Sequence, residues 1–176
     1  MIKRHLDKVA KKVVISNNDC KYIFLFKKNL IKALIEQGFS VTVVAPKDEF
    51  SHRISEIGAD HYPIMLNTHS MNLFREILTL ISIFRAYKTI KPFVNLLFTL
   101  KPNIYGSIAA SFLKIKTINN ITGLGSNFIK PGINQAVVKI LYRFALKLSS
   151  KVFFQNHEDR DLFVDQNLVD IQKTIL

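Results

Sequence analysis

Residues 13–46 read VVISNNDCKYIFLFKKNLIKALIEQGFSVTVVAP, and their pattern indicates the fold class of the chain. Two short β-branched runs, at 13–16 and 41–45, enclose a stretch with helical spacing of its apolar residues over 24–37. Gly38 follows that stretch and is a natural stop for a helix. Short strands that are apolar on both faces are typical of parallel sheets, and a helix between two of them makes a βαβ unit.

The same alternation continues along the chain. Further strands are predicted at 59–64, 93–99, 116–120 and 152–155, and helices at 48–57, 73–90, 103–113, 133–149 and 158–166. The two long helices each carry an apolar stripe expected to face the core: Leu73, Ile77, Leu80, Ile81, Phe84 and Tyr87 in the first, and Ile133, Val137, Ile140, Leu141, Phe144 and Leu148 in the second. The pattern predicts an α/β fold, a Rossmann-like parallel sheet with helices on both faces.

Length and composition fit one domain. The chain has 176 residues, of which 48% are apolar and 22% charged, so a buried core is expected, with its compact part at about 13–170. Cys20 is the only cysteine, which excludes an internal disulfide and a cysteine-based zinc site. The histidines show no metal-binding spacing, and we expect no metal. Residues 171–176 favour either a short terminal strand or an element cut by the chain end.

The positive charge is concentrated in the middle of the chain. The protein has 25 Lys and Arg against 13 Asp and Glu, a net charge of +12. No acidic residue occurs over 77–157, which holds eleven of the basic residues. A surface of one sign attracts phosphates, whether of nucleic acid, anionic lipid or sugar nucleotide, and charge alone does not choose among them.

We expect a cytoplasmic location. The most apolar run, 77–84, has eight residues, whereas a spanning helix needs ~20, and there is no signal-peptide pattern. Helix 133–149 carries Lys139, Arg143 and Lys147 opposite its predicted apolar stripe. This row indicates either contact with anionic lipid headgroups, at the inner face of the membrane, or an ordinary solvated face.

Polar loops follow two central strands, at the edge where open parallel sheets bind ligands. After the fourth strand, Asn103 is a candidate helix N-cap, and Lys101 beside that N-terminus suits an anion. A capped helix with a solvated lysine explains the same residues. After the fifth strand, Gly123 and Gly125 allow a close approach of backbone to ligand, although an ordinary turn is the simpler interpretation.

The loops after the first and last strands are less specific. Asp19 is a candidate helix cap. His157 beside Glu158 invites an acid–base interpretation, but a capped helix start with acidic residues in its first turn explains them better. We assign no catalytic residue.

Five strings are informative as a set: LIKALIEQG at 30–38, VVAPKDE at 43–49, TLKPNIYGS at 99–107, INNITGLG at 118–125 and KVFFQN at 151–156. With them the chain resembles the N-terminal half of bacterial family 4 glycosyltransferases of the GT-B fold. The likeness covers nearly the whole chain from about residue 13 onward.

The resemblance implies half of a two-domain enzyme whose active site lies between the halves. The N-terminal half binds the sugar acceptor, and the C-terminal half holds the nucleotide-sugar donor, which is a co-substrate rather than a cofactor. Nothing in this chain corresponds to the C-terminal half, which indicates either a truncated chain or a donor-binding domain on a separate chain. The family retains anomeric configuration and generally needs no metal, and the implied acceptor is a glycan, in the nearest group polyprenyl-diphosphate-linked.

The resemblance also implies a set of acceptor- and cleft-binding residues. They are Asn17, Lys27, Thr99, Lys101, Asn103, Tyr105, Gly106, Asn120, Thr122, Gly123, Gly125, Asn127 and Asn156. Lys27 stands where the family usually has an arginine, and a lysine cannot reproduce the bidentate hydrogen bonds of a guanidinium group.

The sequence therefore predicts sugar transfer from a nucleotide sugar to a lipid-linked or glycan acceptor in surface-polysaccharide synthesis. Two alternatives remain open: a non-catalytic module that holds an acceptor or a membrane, and an inactive remnant of a truncated gene. Nucleic-acid binding is set aside, because no recognition motif accompanies the positive charge.

Overall fold

The computed structural model describes residues 10–68, 72–123 and 133–176. Within them, one parallel sheet contains β1 (Lys12–Ser16), β2 (Ser40–Ala45), β3 (Asp60–Pro63), β4 (Val94–Phe98), β5 (Lys116–Ile121), β6 (Lys151–Phe154) and β7 (Thr174–Ile175). The strand order is β3-β2-β1-β4-β5-β6-β7. Because β1 pairs with both β2 and β4, the order reverses between β1 and β4. The predicted Rossmann-like α/β fold is confirmed.

The described helices are α1 (Cys20–Phe26), α2 (Lys28–Glu36), α3 (Leu73–Ile90), α4 (Ser107–Phe112), α5 (Ile133–Leu148) and α6 (His157–Asp165). A π-helical turn, Pro102–Gly106, leads directly into α4, and 3-10 turns occupy Ser51–Ile57 and Ile171–Lys173. Two predictions need correction. The helix expected over 24–37 is divided at Lys27, whose φ of −120° and ψ of 2° are not helical, and the helix expected over 48–57 is a 3-10 turn.

Helices cover both faces of the sheet. Consecutive residues of β1 point to opposite faces: Ile15 belongs to the core cluster with α1 and α2, and Val14 belongs to the cluster with α3 and α4. A third cluster joins β6 to α5 and α6, where the ring of Phe163 meets the ring of Tyr142 edge-on at 5.3 Å between centroids.

The end of the chain is part of the sheet. β7 pairs in parallel with β6, with Thr174 opposite Val152 and Ile175 opposite Phe153. Lys173 Nζ donates hydrogen bonds to the carbonyl oxygens of Lys147 and Ser149, at 2.7 and 2.9 Å. The described residues at this end therefore form a short strand.

The structure corrects the predicted core faces of the two long helices. The buried side chains of α5 are Val138, Tyr142, Ala145 and Leu146, and those of α3 are Thr79, Ile83, Ala86, Tyr87 and Ile90. Most residues of the two predicted stripes are exposed instead. We call the exposed residues Leu73, Ile77 and Ile81 of α3 and Ile133, Val137, Ile140 and Phe144 of α5 the apolar face. Both helices are apolar on two sides, so spacing alone could not tell which side meets the sheet.

Candidate functional site

Polar residues gather at the carboxyl edge of the sheet. Asn17 follows β1, Thr99 follows β4, Thr122 follows β5, and Asn156 lies two residues after β6. These four strands are neighbours. In open α/β sheets, ligands bind beyond the carboxyl ends of strands at the point where strand order reverses. That point lies here between β1 and β4, so Asn17 and Thr99 occupy the expected crevice.

The crevice combines an unpaired donor with a strained turn. Asn17 is fully buried, and its Oδ1 accepts a hydrogen bond from the Asn18 N–H at 2.5 Å. Its Nδ2 has no hydrogen-bond partner among the described residues. Thr99 has a φ of 64°, which costs a β-branched residue of order 1–3 kcal/mol and is typical of functional sites.

Lys27 brings a positive charge to the same edge. Its Nζ lies 4.7 Å from the centre of the Phe98 ring, at the end of β4, and 5.7 Å from the Tyr22 ring. Partial burial lowers the pKa of the Lys27 ammonium below its ordinary value. The break between α1 and α2 falls at this residue, which the single helix predicted from the sequence did not show.

Lys101 is not the unpaired lysine that the sequence suggested. Its Nζ lies 2.5 Å from Glu76 Oε1 and donates to the Asn67 carbonyl at 2.7 Å. The Lys101 and Glu76 side chains are only 10% and 13% exposed. The charge that was expected to meet an anion is therefore neutralised by a glutamate from the first turn of α3.

Asn103 is buried and does not cap a helix, because the helical turn has already begun before it. Its Nδ2 donates to the Asn120 carbonyl at 3.0 Å, and its own carbonyl accepts from Ser107 Oγ at 2.7 Å. Asn120 Nδ2 donates in turn to the Leu97 carbonyl at 3.4 Å. Asn103 and Asn120 thus tie the π turn, β5 and β4 together below the edge.

The outcomes for five further predicted site residues differ. Gly106 is buried against Tyr87 and Leu97 and serves helix packing, whereas Gly123 is exposed with a φ of 118°. Asn156 caps α6 by accepting from the Asp159 N–H at 2.7 Å, as the capped-helix interpretation expected. Gly125 and Asn127 lie outside the described residues.

A groove runs between α3, the π turn and α5. Its volume is about 310 Å³, within the range of small-ligand sites. The apolar lining comes from Leu73, Ile77, Leu80, Leu100, Ile104, Val137, Val138 and Leu141, and the polar lining from Thr68, Glu76, Lys101 and Tyr105. Burial and the nearby Glu76 carboxylate raise the pKa of the Tyr105 hydroxyl, so this phenol stays neutral.

The helices beside the groove are strongly basic. Together α3 and α5 carry six basic residues, Arg75, Arg85, Lys88, Lys139, Arg143 and Lys147, against one acidic residue, Glu76. Since Lys101 neutralises Glu76, no free negative charge from these helices opposes an anionic surface.

Over 10–68, 72–123 and 133–176, no helix has both the length and the apolar character needed to cross a bilayer. Within the same ranges, the His, Cys, Asp and Glu side chains form no group of three or more that could hold a metal ion.

Residues 13–156 match the family model described as glycosyl transferase 4-like. The chain belongs to this family. A relative of the glycosyl transferase 4-like chain in Campylobacter jejuni is an N,N'-diacetylbacillosaminyl-diphospho-undecaprenol alpha-1,3-N-acetylgalactosaminyltransferase. The two are 27% identical over 166 residues, which cover 87% of this chain and 43% of that relative.

Solved structures agree on the fold of the glycosyl transferase 4-like chain. A glycosyltransferase from Rickettsia africae superposes with a TM-score of 0.67 at 13% identity, over 95% of this chain and 42% of the other. MurG from Acinetobacter baumannii gives 0.60 at 16%, over 94% and 44%. A UDP-GlcNAc 2-epimerase from Neisseria meningitidis gives 0.67 at 15%, over 94% and 46%. The chain therefore spans less than half of each of these proteins, and its fold alone does not separate transferase from epimerase.

The sequence of this glycosyl transferase 4-like chain did not reveal the groove or the partner of Lys101. Glu76 is 25 residues away along the chain and carries no local motif. One signal was present: Glu76 is the only acidic residue of α3, beside a stripe of apolar residues. A lone acid at the edge of an apolar stripe needs a cation when it is buried.

A cysteine–histidine contact joins α1 to β3. Cys20 Sγ is 3.4 Å from His61 Nε2 and accepts a hydrogen bond from Ser51 Oγ at 3.5 Å. The thiol is fully buried, and burial raises the pKa of Cys20 from 9.0 to about 11. Nucleophilic cysteines need the opposite shift and an accessible sulfur, so this contact is structural.

We expect Cys20 to be protected from alkylation. At pH 8 the folded chain should react with iodoacetamide at least about 100-fold more slowly than the urea-unfolded chain. The pKa of about 11 against 9.0 lowers the thiolate fraction by nearly that factor, and burial also blocks access. Mass spectrometry of timed samples measures both rates. Equal rates would contradict a buried thiol.

The same pKa shift fixes the direction of a pH effect. The folded chain keeps the Cys20 proton up to about pH 11, whereas the unfolded chain loses it near 9.0. The unfolded state therefore binds fewer protons in this window, and the contribution of Cys20 to stability falls as pH rises through it. A Cys20→Ala variant should lose that part of the alkaline pH dependence of the free energy of unfolding.

Proposed function

We propose that this chain is the acceptor-side half of a glycosyltransferase that moves a sugar from a nucleotide sugar to a lipid-linked acceptor in surface-glycan synthesis. The observation that carries the proposal is the position of Asn17, Lys27 and Thr99 around the β1–β4 crevice of a glycosyl transferase 4-like domain. The name of the Campylobacter relative, with its diphospho-undecaprenol-linked substrate, supports the acceptor class.

In this proposal the edge residues hold the acceptor, and a donor-binding domain closes over them. In the transfer the bond from the anomeric carbon to the nucleotide diphosphate breaks, and a bond to the acceptor oxygen forms. The proton of the acceptor hydroxyl leaves with the departing phosphate. Positioning and charge stabilisation supply the catalysis, and Lys27 offers a positive charge beside the β1–β4 crevice.

The proposal places the domain at the cytoplasmic side of a membrane, with the apolar face among the lipid headgroups. Ile133, Ile140 and Phe144 are 84%, 68% and 54% exposed, which is costly in water for three large side chains on one helix. Arg143 and Lys147 are exposed three residues after Ile140 and Phe144. Residues three apart are neighbours on a helix surface, so these two basic residues flank the apolar face rather than lie opposite it, as the sequence had suggested. Apolar burial combined with basic side chains is the usual basis of interfacial binding to anionic bilayers.

We expect Ile140→Glu to weaken binding to anionic vesicles about tenfold or more. The change removes the burial of a large apolar side chain, ~1.5–3 kcal/mol, and adds a repelled charge. Ile171→Glu is the matched control, because Ile171 is 58% exposed and lies outside the apolar face. Vesicle co-sedimentation at two salt concentrations measures both, and an equal loss in the two variants would contradict this membrane contact.

The whole proposal is tested in the source cells. We expect deletion of the coding sequence to abolish sugar transfer from a radiolabelled nucleotide sugar to polyprenyl-diphosphate-linked acceptor in isolated membranes, and the wild-type chain to restore it. A Lys27→Ala chain of normal abundance should fail to restore it. Unchanged transfer after deletion would overturn the proposal in favour of a non-catalytic module or a remnant, and vesicle binding then separates those two.

A further inference from the structure

We propose that the groove between α3, the π turn and α5 holds the first isoprene units of the acceptor's polyprenyl chain. This inference rests on the proposed function, because it takes the acceptor to be lipid-linked. The new element is that part of the polyprenyl chain lies in the groove of the protein and the rest stays in the bilayer.

The place of the groove in the fold supports this occupant. The π turn begins four residues after the end of β4, and Leu73 and Ile77 belong to the first turns of α3. Helices that follow parallel strands start at the carboxyl edge of the sheet, so this end of the groove lies at the edge that carries Asn17 and Thr99. A sugar in the crevice is joined to its lipid by only a diphosphate, which keeps the first isoprene units near this edge.

The groove is also continuous with the apolar face. Leu73, Ile77 and Val137 line the groove and belong to that face at the same time. When the apolar face touches a bilayer, a polyprenyl chain therefore moves from the hydrocarbon of the bilayer into the groove without passing through water. Ordinary phospholipid could touch the same surface, but it has no attached sugar to hold its tail at the carboxyl edge.

The lining suits a branched apolar chain with a polar end. Eight of the lining residues are Leu, Ile or Val, and the polar groups are grouped around the Lys101–Glu76 pair. That pair is close to neutral as a unit, so it offers polarity without a net charge that would repel the tail. Water in the apolar part finds few hydrogen-bond partners, and its displacement by hydrocarbon is favourable.

Calorimetric titration with farnesyl diphosphate, kept below its micelle concentration, tests the inference on the full chain. We expect farnesyl diphosphate to bind at least 100-fold more tightly than inorganic diphosphate. Val137→Trp should fill the groove without removing core atoms, because Val137 is 42% exposed, and should weaken farnesyl diphosphate binding at least tenfold. Ile133→Trp is the matched control, since Ile133 is 84% exposed and does not line the groove.

The outcomes distinguish this inference from the proposed function. Equal affinities for farnesyl and inorganic diphosphate, or unchanged binding in Val137→Trp, would overturn the groove as a lipid site, while vesicle binding and transfer in membranes would still support the proposed function. Retained vesicle binding and an unchanged Tm in both variants show that the tryptophans have not disturbed the fold. Loss of farnesyl diphosphate binding in Val137→Trp alone supports the inference.

Discussion

Replacing Lys101 with methionine is expected to lower the free energy of unfolding by about 3–5 kcal/mol, the usual cost of removing one partner of a buried ion pair. The reason is the carboxylate left behind. Glu76 is 13% exposed and would lose the ammonium that lies 2.5 Å from its Oε1, and the Asn67 carbonyl would lose its donor at 2.7 Å. Urea unfolding followed by circular dichroism measures the loss, since the chain has no tryptophan.

The double variant Lys101→Met with Glu76→Met is the control for this prediction. When both charges leave together, no unpaired carboxylate remains in the apolar groove, and the double variant should be more stable than Lys101→Met alone. A double variant as unstable as the single one would show that the packing of the lysine stem, rather than the ion pair, holds α3 to the π turn.

The second large effect is expected at Gly106. A Cβ there would lie 2.9 Å from the Tyr87 hydroxyl oxygen and 3.0 Å from Leu97 Cδ2, and both residues are fully buried. In Gly106→Ala the better helix propensity of alanine, ~1 kcal/mol, offsets part of the clash. Gly106→Val has less of that gain and adds two methyl groups, so we expect a loss of about 3 kcal/mol in unfolding free energy.

Two comparisons identify the cause of the Gly106 effect. Ala136→Val places the same side chain at an exposed helical position and should cost under ~0.7 kcal/mol, the propensity difference alone. In a Tyr87→Phe background, which removes the nearest atom, Gly106→Val should cost less than in the wild type. An undiminished cost there would assign the clash to Leu97 instead.

The architecture could be predicted from the sequence because its strands are short apolar runs. The stretches at 13–16 and 41–45 became the paired strands β1 and β2, and the glycine stop at Gly38 closes α2 as expected. The alternation of strands and helices over the rest of the chain fixed the parallel sheet. Strand order could not be predicted from the sequence, because the pairing of β1 with β4 is set by tertiary packing.

The candidate site was predicted less well, for physical reasons that differ between residues. The loops that follow parallel strands lie at the same edge of the sheet, so the sequence could place Asn17 and Thr99 at one edge. The states of Lys101 and Asn103 depend on partners 25 and 17 residues away, and no local pattern reports such contacts. The apolar stripes of α3 and α5 were recognised, but most of their residues are exposed, because each helix has a second stripe of mostly apolar residues that packs on the sheet.

The left-handed backbone of Thr99 bears on how tightly the crevice can bind. A threonine does not adopt a φ of 64° unless the surrounding packing enforces it. Folding of the sheet and the π turn therefore offsets the free-energy cost of the Thr99 conformation before any ligand binds. Any ligand that binds at this edge therefore meets a preorganised segment, and its affinity is not reduced by the entropy of ordering that segment.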